Sequence, residues 1–332
     1  MLRLILITLI FVPILNEETV IDLSEGQSIE KDLELTSPQI YEIKYSGNKQ
    51  YIEVNVISTK NNPYIIFCQK KECNFENAYL ISNMRELEHS LFIKKNYLLN
   101  NVGYIHIFSY EDSITGKVIF KDSDMMILKK DSSFSFYNPN DNNENLIKLN
   151  IEKDDKSIMT LSVFIPNIEK NSVKFYYYDG TKKDELKDSF SFDYGNAITI
   201  DQSKYQYVDN SYFLISITST KNSYIILNSK TFNNQNSKLT ANTLPYQGII
   251  NDNLKNQCFE INTKSNYNSD LTLHFHIMSL KGNIIYYFSE DQKETTVIYD
   301  DAFVKSINDL TNNKICFKSK DIQSAYYIEI VK

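Results

Sequence analysis

The sequence predicts an all-β protein made of three tandem antiparallel β-sandwich domains of jelly-roll-like type, preceded by a signal peptide. Three observations indicate this fold class: apolar and polar residues alternate over short runs, the pattern recurs along the chain, and strand-forming residues are abundant. Hydrophobic residues make up 42% of the 332 residues, including 24 Tyr and 19 Phe. Aromatic and β-branched side chains favour strands.

The alternation is clearest in residues 40–58. Apolar side chains occupy every second position over 41–45 and again over 52–56, on either side of a Ser-Gly-Asn turn. This pattern is typical of a β-hairpin with one buried face. We predict a hairpin here and two equivalents of it, at 145–166 and 258–279.

The hairpin pattern recurs at the spacing of a whole domain. Two sets of landmark residues give the spacing: Ile43, Leu149 and Ile261, and Tyr104, Tyr212 and Tyr326. The first set is separated by 106 and 112 residues, and the second by 108 and 114. Solenoid and propeller repeats are shorter, at about 20 to 50 residues. We therefore predict a signal peptide at 1–16 and β-sandwich domains at 17–122, 123–234 and 235–332.

Linkers between these domains are expected near Asp122 and Asn234, within the polar runs KDSD and NNQNS. In the third copy, Tyr326 is taken as the start of the closing strand. This copy then lacks the extra strand that follows at 117–120 and 224–227. A missing strand would leave a sheet edge open to another chain. One interpretation is therefore that this chain is one part of a larger assembly.

The first 15 residues carry one Arg and then the apolar run LILITLIFVPIL. Its length is typical of a signal-peptide core and too short to span a bilayer, and no later run approaches about 20 apolar residues. We predict a protein that is secreted, extracellular or in the lumen of the secretory pathway, with no other transmembrane segment. An uncleaved signal anchor is the alternative, because Leu15 and Asn16 are not the small residues typical of a cleavage site.

Four cysteines suit an oxidising compartment, where an even number can pair completely. Cys68 and Cys73 flank a short polar bend, whereas Cys258 and Cys316 lie in two strand-like runs. We predict the disulfides Cys68–Cys73 and Cys258–Cys316. A zinc site is the competing use of four cysteines, but the sequence has no Cys-x-x-Cys spacing.

His274 and His276 form the sharpest local group of candidate ligands. They alternate along a predicted strand, so both imidazoles project from one face and can reach a single metal ion. A third ligand is not evident, and a structural pair on a solvated strand face is the alternative.

Calcium is the second metal ion considered. Apart from these metal ions, the sequence predicts no cofactor. The run NPNDNNEN places four oxygen-bearing side chains at alternate positions: Asn138, Asn140, Asn142 and Glu144. Calcium takes six to eight oxygen ligands, and the glycine of the EF-hand loop is missing. A loop between two strands is the main interpretation of this run.

No catalytic motif is present. The chain lacks Gly-x-Ser-x-Gly, His-Glu-x-x-His, P-loop and dinucleotide-binding patterns. Carboxylates are plentiful enough for a glycosidase pair, for example Asp179, Asp184, Glu185 and Asp193. Three tyrosine clusters offer a platform for sugars, at 176–178, 286–287 and 326–327. The net charge of −7 is spread along the chain, which argues against a nucleic-acid partner.

The closing-strand pattern resembles a known family. VGYIHI at 102–107, together with PYIIFCQK at 63–70, resembles the bacterial pre-peptidase C-terminal domain, a jelly-roll-like sandwich attached to secreted peptidases. The resemblance extends to the other two copies, but only the first keeps a Gly before the closing Tyr, and no peptidase domain accompanies them. It implies a jelly-roll fold and an accessory, non-catalytic role.

Together these features predict a non-enzymatic binding, adhesion or extracellular structural module whose partner is a protein or glycan surface. The alternative is a secreted hydrolase, or the accessory region of a secreted peptidase or glycosidase.

Overall fold

The structure is a computed structural model that describes residues 19–35, 37–58, 63–73, 78–81, 88–108, 114–138, 144–153, 155–166, 171–219, 223–241, 244–262, 272–310 and 313–331. Over these residues the chain is almost entirely β-strand, which confirms the all-β prediction. The strands form several sheets in series, an arrangement that is compatible with a β-solenoid as well as with three jelly rolls. The predicted signal peptide, 1–16, lies outside the described residues.

The first third of the chain contributes nine strands to the described structure. They are β1 (Thr19–Leu23), β2 (Ser28–Leu35), β3 (Gln39–Tyr45), β4 (Tyr51–Ser58), β5 (Tyr64–Cys68), β6 (Leu80–Ile81), β7 (Glu88–Lys94), β8 (Val102–Phe108) and β9 (Ile114–Ser123). A 3₁₀ turn at Lys95–Tyr97 separates β7 from β8.

The second third contributes ten. They are β10 (Met126–Ile127), β11 (Ser133–Asn138), β12 (Glu144–Asn150), β13 (Ile158–Phe164), β14 (Ser172–Tyr178), β15 (Lys183–Glu185), β16 (Phe190–Phe192), β17 (Gly195–Asp201), β18 (Tyr212–Thr218) and β19 (Ser223–Phe232). A 3₁₀ turn at Gln202–Lys204 follows β17.

The last third contributes nine strands and one short helix. They are β20 (Asn236–Thr240), β21 (Tyr246–Ile250), β22 (Asn256–Asn262), β23 (Thr272–Lys281), β24 (Ile284–Phe288), β25 (Thr295–Val297), β26 (Asp300–Ser306), helix α1 (Ile307–Leu310), β27 (Lys314–Ser319) and β28 (Ser324–Val331).

Each third forms two sheets, and the strand order repeats. Sheets A, C and E have the orders β1-β3-β8-β5-β6, β10-β12-β18-β14-β15 and β20-β22-β27-β24-β25. Sheets B, D and F have the orders β2-β9-β4-β7, β11-β19-β13-β17-β16 and β21-β28-β23-β26. The first pair in each of A, C and E is parallel, and the other described ladders are antiparallel.

Each pair of sheets shares one hydrophobic core. Ile43 from sheet A and Val54 from sheet B belong to the same cluster of fully buried side chains. A second cluster joins sheets C and D, and a third joins sheets E and F. The alternating residues of the sequence are therefore the inward-facing residues of two opposed sheets.

The predicted hairpins are wrong, although their strands are present. β3 is hydrogen-bonded to β1 and β8, whereas β4 is hydrogen-bonded to β7 and β9, so residues 40–58 cross from one sheet to the other. The same holds for 145–166 and 258–279. Alternation identifies the buried face of each strand but not its hydrogen-bonded neighbour, because two facing strands and two paired strands give the same pattern.

The landmark Tyr326 is also misplaced. The strand order makes β27 the equivalent of β8 and β18, which hold Tyr104 and Tyr212. Tyr326 lies in β28, the equivalent of β9 and β19. The third set of sheets therefore has its extra strand, and the open edge predicted from a missing strand does not exist. KICFKS is recognisable in the sequence as a strand-like run but not as the closing strand, because it lacks the tyrosine that marks β8 and β18.

The predicted linker positions lie at the end of a strand and in a tight turn. Asp122 is part of β9, and its carboxylate accepts hydrogen bonds from the Gly26 N–H at 3.1 Å and the Tyr45 hydroxyl at 3.0 Å. Asn234 and Gln235 have positive φ angles, 50° and 67°, in the turn from β19 to β20. Successive sets of sheets are therefore joined directly, without a long connecting segment.

Asp155 anchors the crossing from β12 to β13. Its carboxylate accepts hydrogen bonds from Lys130 Nζ at 2.5 Å, from Gln202 Nε2 at 3.0 Å and from the Ser157 N–H at 2.9 Å. Burial opposes ionisation, but the hydrogen bonds from Lys130 and Ser157 outweigh it and lower the pKa of Asp155 to about 2.

The two disulfides match the predicted pairs. The structure joins Cys68 to Cys73, with Cα atoms 6.2 Å apart, and Cys258 to Cys316, with Cα atoms 4.0 Å apart. Cys258 and Cys316 are directly opposite each other on β22 and β27.

We predict that the Asp155 carboxylate stabilises the fold above pH 4 and that its contribution is lost as the pH falls towards 2. The folded-state pKa is depressed below the ordinary value of 3.8, so ionisation favours the folded state by about 2 kcal/mol at neutral pH. Urea unfolding at pH 7 and at pH 3 should show that Asp155→Asn removes this contribution. The matched control is Asp184→Asn, in an exposed pair with Lys182, which should change stability little. Equal pH dependence in the wild type and Asp155→Asn would contradict the assignment.

We predict that the double variant Cys258→Ser/Cys316→Ser loses more stability than Cys68→Ser/Cys73→Ser. The bonds close loops with sequence separations of 58 and 5 residues. In the chain-entropy model these loops correspond to about 4 and about 2 kcal/mol. Chemical denaturation of both variants measures the difference. The reverse order of destabilisation would show that loop closure is not the main contribution.

Candidate functional site

The predicted histidine pair lies on the outer face of sheet F, turned away from the core. His274 is exposed, and the side chain of His276 is 41% exposed. His276 Nε2 lies 3.9 Å from an oxygen of Asp300, and its ring centroid lies 5.9 Å from that of Tyr327. The alternation thus placed both histidines on one face correctly.

Within the described ranges, no group of three or more His, Cys, Asp or Glu side chains is positioned to hold a metal ion. The metal site at His274 and His276 therefore stays a prediction from sequence. The calcium site at 138–144 likewise stays a prediction from sequence. Asn138 is buried and donates to the Ser219 hydroxyl at 3.0 Å, Glu144 accepts from the Ser216 hydroxyl at 2.6 Å, and 139–143 lie outside the described residues.

The residues equivalent to the histidine pair are buried in the first two sets of sheets. His274 and His276 are the third and fifth residues of β23. The same positions in β4 hold Glu53 and Asn55, which are 3% and 7% exposed. In β13 they hold Thr160 and Ser162, each 1% exposed. Polar side chains on an outer sheet face are normally solvated, so these four indicate that something covers them.

The outer face of sheet B is covered by the first edge strand of sheet D. Phe92 of β7 packs edge-on against Phe134 of β11, with ring centroids 5.2 Å apart. Tyr137 of β11 packs against the first hydrophobic core. Glu53, which lies directly opposite Phe92, is paired within its own sheet with Lys121 Nζ at 3.0 Å and accepts a hydrogen bond from the Ser90 hydroxyl at 2.8 Å.

The outer face of sheet D is covered in the same way by β21. The hydroxyls of Thr160 and Tyr246 are hydrogen-bonded at 2.9 Å, and Asn228 Nδ2 donates to Gln247 Oε1. Every residue of β21 is buried. Burial raises the pKa of Tyr246, so its hydroxyl remains protonated and available for the hydrogen bond.

An apolar cluster completes the second junction. It combines side chains of sheets D and F: Phe190, Phe192, Ala197, Ile249, Leu280 and Ala325. Lys281 reaches across it, with Nζ 4.7 Å from the ring centroid of Phe190 and 2.9 Å from the backbone oxygen of Ser191. The apolar cluster and the hydrogen-bonded pairs Thr160–Tyr246 and Asn228–Gln247 together make this junction resemble a permanent interface.

The outer face of sheet F is left open over much of its described surface. Val304, next to His274 on β26, is 50% exposed, and Asp300 has a side-chain exposure of 72%. The turn before β26 exposes Ile298 by 77% and Tyr299 by 80%. We call this surface, formed by Thr272, His274 and His276 of β23 and the outward residues of β26, the open face.

A polar cleft lies beside the second junction. Its cavity has a volume of about 450 Å³ and is lined by the β15–β16 connection, the end of β17, and the β21–β22 and β27–β28 turns. Asp188, Asp201, Asp252 and Tyr205 are among its lining residues. Burial, followed by the negative charges of Asp188 and Asp201, raises the pKa of Tyr205, so its hydroxyl stays a hydrogen-bond donor.

Two of the carboxylates in this cleft have structural partners. Asp201 accepts hydrogen bonds from the Ser203 hydroxyl at 2.6 Å and N–H at 3.2 Å, and lies 3.7 Å from Lys204 Nζ. The Ser203 hydroxyl and then Lys204 lower the pKa of Asp201. Asp252 pairs with Lys255 at 3.5 Å. A glycosidase needs one carboxyl group whose pKa is raised, and the pKa of Asp201 moves in the opposite direction.

The carboxylates singled out in the sequence do not converge on this cleft. Asp179 accepts the Lys182 N–H at 2.6 Å in a tight turn, which lowers its pKa, and Asp184 pairs with Lys182 at 2.6 Å. Glu185 is exposed at the end of β15. Asp193 lines a separate cavity of about 600 Å³ beside the β16–β17 turn.

The tyrosine clusters divide between core and surface, as adjacent strand residues must. Tyr326 is fully buried and donates to Gln257 Oε1 at 2.5 Å. Tyr286 is buried and donates to Asp301 at 2.7 Å, and burial together with Asp301 raises its pKa to about 12. These two residues support the core and do not form a platform for sugars.

Sequence reasoning missed both the covered outer faces and the cleft. The signal for the covered faces was present as Thr160 and Ser162, but small polar residues at alternate positions look the same on a solvated face. Nothing in the sequence indicated the cleft, because its walls come from turns far apart in the chain.

Comparisons with protein-family models and with curated protein sequences find no match to this chain. Among the residues that the structure describes, no helix is long and apolar enough to cross a membrane.

We predict that Thr160 and Tyr246 are energetically coupled across the second junction. Thr160→Val and Tyr246→Phe each remove one partner of a buried hydrogen bond, and a double-mutant cycle should give a coupling energy of about 1 kcal/mol. Chemical denaturation of the two single variants and the double variant measures it. The exposed Tyr224, which donates to Ser135 at 2.9 Å, gives the control cycle with Tyr224→Phe and Ser135→Ala. Additive effects of Thr160→Val and Tyr246→Phe would show that the junction is not formed.

Proposed function

We propose that this chain is a secreted or lumenal, non-enzymatic binding or adhesion module in which three tandem jelly-roll sandwiches form one stiff arm. The observation that carries the proposal is the burial of polar outer-face residues, such as Thr160 and Ser162, between successive sets of sheets. Flexible linkers would leave such residues solvated. An arm of fixed shape can hold a binding surface at a defined distance and orientation.

The repeated strand order supports three jelly rolls with boundaries close to 17–122, 123–234 and 235–332. In the first set, β2-β9-β4-β7 faces β3-β8-β5-β6, so most consecutive strands cross between two antiparallel sheets, as in a double Greek key. A β-solenoid is the competing arrangement, and it is built from parallel strands in much shorter repeats. The resemblance to pre-peptidase C-terminal domains is in keeping with this proposal.

The two disulfides support the proposed compartment. Disulfides persist in secreted and lumenal proteins and are rare where thiols are kept reduced. Cys258–Cys316 staples two neighbouring strands, and Cys68–Cys73 closes a turn at the end of β5. Neither pair touches the cleft or the open face among the described contacts, so both are proposed to be structural.

The alternative function is a secreted hydrolase that uses the polar cleft. Against it, Asp201 and Asp252 are engaged with Ser203, Lys204 and Lys255, and the pKa of Asp201 is lowered. The polar lining of the cleft is better suited to binding than to acid–base catalysis.

We predict that the full chain shows no turnover of peptide or oligosaccharide substrates and that Asp188→Asn and Asp201→Asn leave this result unchanged. The measurement is incubation with fluorogenic peptide and glycoside panels, alongside surface plasmon resonance of the immobilised chain against extracellular-matrix proteins and glycans. Saturable binding without turnover supports the proposal. Hydrolysis that is abolished by Asp188→Asn or Asp201→Asn would establish the hydrolase instead.

A further inference from the structure

The three sets of sheets use the same surface in two different ways. In the first two sets, the outer face of sheet B or D is covered by the first edge strand of the next set, β11 or β21. In the last set, the equivalent face carries His274, His276 and Val304 and is open. The chain itself therefore provides two examples of what covers this kind of face.

The complementary edge is open at the other end of the chain. β2 is the equivalent of β11 and β21, because each is the first strand in its sheet's order. Within the described structure, β2 has a sheet neighbour, β9, on one side only. The described chain thus ends in an uncovered face and begins with an uncovered edge strand, which are the two halves of the junction that it forms twice internally.

We propose that the open face binds the β2 edge of a second copy of this chain, so that copies associate head to tail. This proposal rests on the stiff three-sandwich arrangement proposed above and names its partner. The contact would continue the internal junctions, with the next set of sheets supplied by another molecule. Such a contact joins two different surfaces, so it produces a ring if the rotation closes and a filament if it does not.

The side chains at the two surfaces differ from those of the internal junctions but complement each other. The outward side of β2 carries exposed carboxylates, Asp32 and Glu34, while Glu30 is already paired with Lys117 at 2.5 Å. The open face offers imidazole donors at His274 and His276, flanked by exposed Val304.

Asp300, the exposed acid on the open face, lies beside His276. Glu329 lies directly opposite His276 on β28 and accepts a hydrogen bond from the Tyr327 hydroxyl at 3.0 Å. His274 is therefore the donor on this face that lies farther from these two acids along β23, and we place it opposite Asp32 or Glu34. Charged edge strands keep sheets from pairing indiscriminately, so the acidic β2 restricts docking to a face that can donate hydrogen bonds to its carboxylates.

Sedimentation-velocity centrifugation of the full chain over a range of concentrations tests the proposal. We expect concentration-dependent association that weakens at least about tenfold, equivalent to about 1.4 kcal/mol, in His274→Glu and in Asp32→Lys/Glu34→Lys. An equimolar mixture of these two variants should associate again, because the unaltered β2 edge of His274→Glu meets the unaltered open face of the other variant, and the reversed charges meet across the second contact. Asp184→Lys, on an exposed strand of sheet C, is the control and should associate like the wild type.

Three results would overturn the proposal: a monomer at every concentration, association that neither variant weakens, or two weakened variants whose mixture does not recover. Binding of a different protein through the open face, without self-association, would also replace the second copy by a separate partner. The Thr160–Tyr246 cycle tests the internal junction independently. A coupled internal junction with a monomeric chain would therefore reject this proposal alone.

Discussion

The structure depends on one constraint: the apolar residues of most strands that follow each other in sequence meet across a core rather than side by side in one sheet. Ile43 lies on β3 in the five-stranded sheet A, and Val54 lies on β4 in the four-stranded sheet B. The two sheets share no strand, yet both residues are fully buried in the same cluster. Because each set of sheets satisfies this constraint alone, its polar residues point outward. The arrangement of the whole chain is then decided by what happens to those outward faces.

Two of these faces are buried, and Glu53 on one and Thr160 on the other are paired in different ways. At the first junction, Glu53 is paired within its own sheet with Lys121 Nζ at 3.0 Å. At the second junction the partners cross between sets, from Thr160 to Tyr246 and from Asn228 to Gln247. Buried polar groups that must find specific partners fix the relative position of two surfaces more strictly than apolar contact does.

Particular residues show how far the sequence predicts this structure. The buried positions of β3 and β4, the two disulfide pairs and the shared face of His274 and His276 all follow from spacing of two residues or from local polarity. The pairing of β3 with β8 does not, because it joins segments about 60 residues apart and depends on tertiary packing. The role of Thr160 was likewise hidden, since only the position of Tyr246 in space distinguishes a covered face from a solvated one. The cleft near Asp201 depends on turns from two sets of sheets, and no local pattern encodes it.

The central claim is that the three sets of sheets form one stiff arm, and small-angle X-ray scattering of the full chain tests it most directly. Data extrapolated to low concentration, where any association is absent, should agree with the scattering profile calculated for a single conformation with both junctions closed. A profile that requires an ensemble of differently bent conformations would contradict the claim.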